Sequence, residues 1–274
     1  MLQSSSYLKI HPSVYVWARL PLTLDVLIGA DLLLLPVDAC VSHLTALHWY
    51  GVEIGTTTAR HYSTNTTAQT RLAGVRLHRR RGTLSPRIVR GVPVLGPDRT
   101  LVDCATQLSP NDLVRAGDWL VRQRLTSPAT LQTYAQERHL DGVVRARRTT
   151  PLVRSRVDSV TETDVRLILY TSRLPEPEVN GTIVDARGRF LARGDLVYRV
   201  LMIVIEYDGW HHERSADQRQ RDILRRERLE AAGWRVIIIT GKDLAHPTSI
   251  VARVWQAMVD AGYRGTPPLP LRDV

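Results

Sequence analysis

The 274-residue chain has little cysteine and no long uninterrupted apolar run. Its two cysteines, Cys40 and Cys104, lie in apolar surroundings and lack the spacing of a metal motif, which argues against a disulfide framework and predicts buried thiols in a reducing cytoplasm. The most apolar early stretch, residues 20–36, is broken by Pro21 and by charged residues. It therefore predicts a core helix and a turn rather than a membrane helix, and no signal-peptide pattern precedes it.

Acidic residues are outnumbered by basic ones, with a formal net charge of +10 and a pI near 10.2. The excess is nearly all arginine, whose planar guanidinium suits bidentate contact with phosphate. A nucleic-acid partner is therefore favoured over a charge that serves solubility alone. The single phenylalanine and scattered tyrosines offer no platform for stacking bases, so the sequence favours DNA while action on RNA stays open.

One apolar run of six residues, 200–205, stops abruptly in acidic residues, a glycine and histidines. The run predicts a strand buried on both faces. Because side chains two residues apart share a face, Glu206 and Asp208 project together, followed by His211 and His212. Adjacent carboxylates repel each other, and a divalent cation such as Mg²⁺ or Mn²⁺ is the usual reason to tolerate them. A solvated or salt-bridged strand end is the alternative.

Two further acids join this pair. Strands are predicted at 179–184 and 190–198, and an antiparallel arrangement would put Asp195 next to Glu206, close enough to share a cation. Glu162 lies in a Ser159-Val-Thr-Glu capping-box pattern that opens a helix. The sequence leaves open whether Glu162 caps that helix, supports the site, or does both.

A helix is predicted from Ser215 to Gly233, and one stripe of it changes from polar to apolar. The stripe consists of Gln218, Asp222, Arg225, Leu229 and Ala232. If its apolar end packs on the sheet, the polar end reaches the carboxylate edge. Gln218 and Arg225 would then contact a phosphate, and Asp222 would orient Arg225 or a histidine. An arginine-dense surface helix is the alternative.

The sequence predicts a winged-helix-like module for residues 1–96. A strand at 14–17 and helices at 20–36 and 38–49 precede strand-like pieces at 55–62 and 74–81. The densest basic cluster of this half consists of Arg76, Arg79, Arg80 and Arg81, with His78. On a strand or wing these arginines would lie against a phosphate backbone, with a solvated face as the alternative.

The order of the acidic and polar residues in the second half of the chain resembles the motif pattern of a known family. The pattern comprises Glu162, Asp195, Glu206, Asp208, His212, Gln218, Arg221, Asp222, Arg225, Gly233 and Trp234. It is similar to the Vsr-like, restriction-endonuclease-like domain of many actinobacterial proteins, within the PD-(D/E)XK nuclease superfamily, over roughly residues 155–245. Residues 42–46 and 97–103 resemble, more weakly, the AbiEi-like antitoxin winged-helix region that precedes such domains.

The resemblance implies a mixed sheet flanked by helices, with Asp195 and Glu206 as metal ligands and Glu162 as a supporting acid. A divalent ion there would polarise a phosphodiester and lower the pKa of an attacking water. Asp208 replaces the lysine usual in the superfamily, and no proline directly precedes Asp195. His211 or His212 is therefore the candidate for activating the water or protonating the leaving group.

These observations predict an α/β chain of the α+β type, in four segments: a winged-helix-like module (1–96), a helical connector (97–150), a nuclease domain (151–262) and a loose tail (263–274). The predicted function is a cytoplasmic, metal-dependent DNA endonuclease or nickase. A DNA-binding regulator of the toxin-antitoxin type, with a partner toxin, is the alternative. Clustered acids oppose phosphate binding unless a cation compensates them, which favours the enzyme. A homodimer stays open.

Overall fold

The computed structural model describes residues 6–209 and 216–270 and has mixed α/β content. The chain divides into two compact units, Met1–Val153 and Arg154–Val274. The division lies close to the junction expected at 150/151. The helices predicted as a connector belong to the first unit rather than to a separate segment between two domains. The winged-helix resemblance of this unit stays a prediction.

Unit 1 begins with strands and two helices and continues with helices alone. Its strands are β1 (Tyr7–His11), β2 (Val14–Trp17), β3 (Cys40–Val41), β4 (Arg60–Thr64), β5 (Val75–Arg79), β6 (Arg87–Val89) and β7 (Val92–Val94). Its α-helices are α1 (Leu24–Leu32), α2 (His43–Trp49), α3 (Pro97–Cys104), α4 (Pro110–Arg122), α5 (Pro128–Glu137) and α6 (Val143–Thr149), followed by a 3₁₀ turn at Thr150–Leu152.

Two apolar cores hold unit 1 together. Strands β1 and β2 form a hairpin, and the other five form a mixed sheet in the order β5-β4-β3-β7-β6. One core lies between this sheet and the first two helices, with Ile28, Trp49 and Tyr62 buried in it. The larger core gathers apolar side chains from α2 through α6, and the free Cys104 is buried within it. Both cysteines are free and buried, as the sequence predicted.

Unit 2 is a four-stranded sheet with helices. Its elements are α7 (Val160–Thr171), β8 (Glu178–Val184), β9 (Phe190–Tyr198), β10 (Ile203–Asp208), α8 (Ala216–Ala231), β11 (Arg235–Thr240), α9 (Gly241–Leu244) and α10 (Pro247–Asp260). The order is β11-β10-β9-β8, with β10 parallel to β11 and antiparallel to β9. The mixed sheet expected for this region is thereby confirmed.

The two faces of this sheet bury different helices. Alternation along β10 sends Ile203 and Ile205 into a core shared with α7 and α10. Val204 points the other way, into a core with Leu229 of α8 and Trp234. A central strand buried on both faces therefore ends in Glu206 and Asp208, as the abrupt change of polarity predicted.

Three predicted elements are wrong at their starts, and one of them, the strand-like piece at 55–62, begins only at Arg60 as β4. Residues 38–42 are not helical, because Cys40 and Val41 pair with β4 and β7, and α2 begins only at His43. The central strand begins at Ile203 rather than at residue 200. Val200 is fully exposed in a short 3₁₀ turn, and Met202 adopts a left-handed conformation with φ 53° that redirects the chain into the sheet.

In the described part of the chain, no helix is both long enough and apolar enough to cross a membrane.

Candidate functional site

The acidic residues of unit 2 meet where strands β9 and β10 separate. The last paired residues are Ile205 and Leu196, so the next step of the same antiparallel register places Glu206 opposite Asp195. The ladder is not continued there by the backbone. Instead the Asp195 carboxylate accepts a hydrogen bond of 2.9 Å from the Tyr207 N–H. The predicted juxtaposition of Asp195 and Glu206 is thus brought about by strand register.

Glu162 reaches the same place from α7. Ser159 caps this helix by accepting the Glu162 N–H, and the Glu162 carboxylate accepts hydrogen bonds from the Ser159 hydroxyl, the Asp158 N–H and the Asn180 side chain. The carboxylate of Glu162 and that of Asp195 border one narrow gap between α7 and the sheet. Glu162 therefore serves as a helix-start residue and as a member of the acidic cluster, which the sequence had left open.

The three acids influence one another electrostatically. Burial raises the pKa of Asp195 above its ordinary value, and the charge of Glu206 raises it further against the opposing hydrogen bond from Tyr207. Burial also raises the pKa of Glu162, and the charge of Asp195 contributes in the same direction. Negative charge is thus unfavourable where the central strands β9 and β10 separate, and a cation bound there would compensate it.

Arg225 of α8 supplies a positive charge beside this cluster. Its Nη1 donates a hydrogen bond of 2.7 Å to one carboxylate oxygen of Glu206, and its Nη2 lies 2.7 Å from the other and donates to the Arg193 carbonyl. The apolar end of the same stripe packs as predicted, with Leu229 buried and Ala232 against it. The sequence predicted that Arg225 contacts a phosphate, whereas the structure commits its guanidinium to Glu206 because the stripe packs directly beside that carboxylate.

The structure places only some of the remaining residues predicted for this site. Asp208 is half-buried at the end of β10 and pairs in register with Thr240. Three residues lie exposed on the first turns of α8, namely Gln218, Arg221 and Asp222. His211 and His212 lie outside the described residues, so their proposed proton-transfer role stays a prediction.

The acidic cluster predicts an unusual effect on stability. Asp195→Asn keeps an oxygen that can accept the Tyr207 N–H but removes the buried charge, so we expect the free energy of unfolding at pH 7 to rise by about 0.5–2 kcal/mol. Because the folded-state pKa of Asp195 is raised, ionisation of its carboxyl group lowers the free energy of unfolding at pH values above that pKa. Below the ordinary pKa of an aspartate the group is protonated in both the folded and the unfolded state, and this cost is absent. The gain should therefore fade as pH decreases toward 4, which urea unfolding across pH would measure. Asp217→Asn, at an exposed position on α8, is the control with little effect, and a neutral-pH loss for Asp195→Asn would contradict the prediction.

The structure places the arginines predicted to contact DNA in unit 1 in two different environments. Arg79 and Arg81 are exposed. Arg80 instead turns inward, with its side chain only 12% exposed, and its guanidinium bonds to His43 and to the carboxylates of Asp103 and Asp141. Alternation along β5 directs Arg80 to the side opposite Arg79, so that Arg80 borders a groove along β5 with its guanidinium already engaged by partners within unit 1.

An open groove of about 610 Å³ runs along β5, one of the two edge strands of the five-stranded sheet of unit 1. It is lined by Gln69, Thr70, Arg76, His78, Arg79, Arg80 and Asp141, among others. Arg76 was grouped with the basic cluster by sequence, but its place in a concave surface depends on the sheet. The groove offers exposed guanidinium groups and hydrogen-bonding side chains to an elongated anionic ligand.

A group of three histidines in unit 1 was not predicted from the sequence. These are His43, His61 and His78, whose ring nitrogens converge. They lie too far apart along the chain to form a short metal motif. The only signal in the sequence was that His78 follows the alternating apolar residues Val75 and Leu77 along β5.

Comparison with known proteins finds two relatives from Mycobacterium tuberculosis. They are uncharacterized protein MT2308 of strain CDC 1551 / Oshkosh and uncharacterized protein Rv2248 of strain ATCC 25618 / H37Rv. Each is 27% identical over 233 residues, which covers 84% of this chain and 83% of the relative. No family model matches the chain, and no solved structure matches it. Because the aligned length exceeds that of either unit, the similarity to both mycobacterial proteins extends across the two units.

Proposed function

We propose that this chain is a metal-dependent DNA endonuclease or nickase that hydrolyses phosphodiester bonds. The observation that carries the proposal is the meeting of Asp195, Glu206 and Glu162 where strands β9 and β10 separate. Three carboxylates in a partly buried place, where neighbouring charge raises the proton affinity of Asp195 and Glu162, are a destabilising arrangement if they serve structure alone. They form a donor set of hard oxygens, which is the set that Mg²⁺ or Mn²⁺ prefers.

Each residue has a role in this proposal. Asp195 and Glu206 would hold the ion, which when bound polarises the scissile phosphate and lowers the pKa of an attacking water. Glu162, fixed by Asn180 and by the start of α7, keeps its charge directed at Asp195 and so favours retention of a cation. Arg225 holds the Glu206 carboxylate in one orientation. His211 or His212 would move the proton.

Binding of DNA is assigned in the proposal to the arginine-lined groove of unit 1. Arg76 and Arg79 are exposed on β5 and present guanidinium groups suited to phosphate. The overall charge of +10 would strengthen attraction to DNA at a distance.

The groove gives a prediction about salt dependence. The double variant Arg76→Ala, Arg79→Ala should bind duplex DNA more weakly, and the slope of log affinity against log salt should decrease in magnitude by about 2, because each arginine neutralises about one phosphate. Fluorescence anisotropy at several salt concentrations measures both quantities. Arg187→Ala removes one exposed arginine from unit 2 and is the control. An unchanged slope in the double variant would place the DNA-binding surface elsewhere.

A second candidate is a DNA-binding regulator of the toxin-antitoxin type that acts with a partner toxin. The ion pair of Arg225 with Glu206 favours it, because a guanidinium already compensates that carboxylate without any metal. The two functions are separated by incubation of supercoiled plasmid with the protein and Mg²⁺ or Mn²⁺. Metal-dependent nicking supports the enzyme, whereas salt-sensitive binding without cutting under every metal supports the regulator.

A further inference from the structure

The three histidines of unit 1 meet at one face of its five-stranded sheet, where β4 and β5 carry two of them and the start of α2 carries the third. Strands β4 and β5 are parallel, with Ser63 opposite His78. Tyr62 of β4 and its partner Leu77 of β5 point toward the apolar core. Because side chains alternate along each strand, His61 and His78 point to the other face of the sheet. His43, the first residue of α2, approaches that face with a left-handed backbone of φ 51°, a conformation that persists only where the surroundings fix it.

The ring nitrogens of these side chains lie close enough to be joined by one ion. One nitrogen from each ring can be chosen so that all lie within 4.8 Å of one another, and His43 and His61 are buried. Zinc binds histidine nitrogen at about 2.0–2.1 Å, which places ligand atoms of a tetrahedral ion roughly 3.3 Å apart. We propose that His43, His61 and His78 form a binding site for a transition-metal ion, with Zn²⁺ the expected occupant.

Hydrogen bonds to the outer nitrogen of His61 already orient its lone pair inward. The Thr57 hydroxyl donates to the Ala59 carbonyl, so its oxygen accepts the His61 Nε2–H at 3.1 Å. The lone pair of His61 Nδ1 is therefore directed at His78 Nε2, 2.9 Å away. In the metal-free protein a proton of His78 fills this space, and an ion would take its place. Metal-ligating histidines usually donate the other ring N–H to a fixed acceptor such as a carboxylate, a backbone carbonyl or water, and here the Thr57 hydroxyl oxygen is that acceptor.

His43 is oriented in a similar way. Its Nδ1 lies 2.9 Å from the Ser42 hydroxyl, and its Nε2 accepts a hydrogen bond of 2.8 Å from Arg80. Burial lowers the pKa of His43 to about 2, and burial likewise lowers the pKa of His61 and of His78 to about 4. All three imidazoles are therefore neutral at physiological pH, which is the form that binds a metal.

Two features have to change when the ion binds. The Arg80 guanidinium must release His43, and it retains the carboxylates of Asp103 and Asp141 as partners. The rings of His43 and His78 are stacked at 3.9 Å with an angle of 19°, so they must turn to place the ion in both ring planes.

Three nitrogen ligands favour Zn²⁺ over Mg²⁺ and leave a fourth position for water or an anion. His78 also lines the groove along β5, so that position would be accessible from solvent. The site is separate from the carboxylate cluster, which lies in unit 2 and whose described members, Glu162, Asp195 and Glu206, offer oxygen ligands.

Calorimetric titration of the full-length, metal-free protein with Zn²⁺ tests the proposal. We expect one equivalent to bind, and His78→Gln and His61→Gln to weaken that binding at least about 100-fold, because even hydrogen-bond partners of metal ligands typically contribute 10–100-fold. Thr57→Val removes the hydroxyl that orients His61 and should weaken binding by about 10-fold or more. His139→Gln, an exposed histidine of the same unit, should leave binding unchanged.

Titration of the unaltered protein with Co²⁺ supplies a first readout that does not depend on the folding of any variant. A site with three histidines and one water gives the intense visible absorption of four-coordinate Co²⁺, whereas a carboxylate site gives the weak spectrum of six-coordinate Co²⁺. The Asp195→Ala, Glu206→Ala double variant should keep the four-coordinate spectrum whether or not the nuclease proposal holds. Absence of that spectrum in the unaltered protein, or its persistence in His78→Gln, would overturn the histidine site.

Discussion

Supercoiled plasmid incubated with the protein and Mg²⁺ or Mn²⁺ is expected to be nicked or linearised, and Asp195→Ala or Glu206→Ala should lower the rate at least about 1000-fold. The reason is that a divalent ion stabilises transition-state charge by several kcal/mol, and each ~1.4 kcal/mol corresponds to a factor of ten. Both carboxylates lie at one strand separation, so removal of either leaves an incomplete set of ligands.

Controls separate loss of chemistry from loss of fold. Asp217→Ala removes an exposed carboxylate of α8 and should cut at the normal rate. Cleavage without added metal, in the presence of chelator, would contradict the assignment of Asp195 and Glu206 as ligands. Equal cutting by the unaltered protein and both variants would identify a contaminating nuclease. If none cuts but all bind DNA in a salt-sensitive manner, the regulator becomes the better description.

Asp31→Ala is expected to lower the free energy of unfolding of the protein by about 3–5 kcal/mol, because removal of one member of a buried ion pair leaves the other charge uncompensated. Asp31 is completely buried, and its carboxylate accepts bonds from Tyr62 at 2.7 Å and from His11 at 2.6 Å and is ion-paired with Arg60 at 2.5 Å. Urea unfolding followed by circular dichroism measures the change.

Asp25→Ala provides a matched comparison on the same helix. Asp25 is exposed in the first turn of α1, where a carboxylate contributes at most about 1 kcal/mol through the helix dipole. A similar small effect for Asp31→Ala would mean that the bonds of α1 with the hairpin and with Arg60 are not important for the stability of unit 1.

Local sequence patterns predicted much of the secondary structure of unit 2. Ser159 predicted the start of α7, the apolar run ending at Glu206 predicted the central strand, and the stripe ending at Leu229 predicted the buried face of α8. These features follow from hydrogen-bond capping and from periodicity, which act over a few neighbouring residues. The predicted start of β10 was wrong because apolar character alone does not show that Met202 turns the chain.

The order of residues along the chain was enough to predict that acids would cluster at a strand end and that arginine would dominate the charge. The partners that these groups take depend instead on the folded arrangement. Arg225 pairs with Glu206 and Arg80 turns toward His43 because α8 and β5 are held by packing at long range. The approach of His43, His61 and His78 likewise depends on strand pairing and on the position of α2. Contacts between residues distant in sequence are selected by the whole fold, and no short pattern records them.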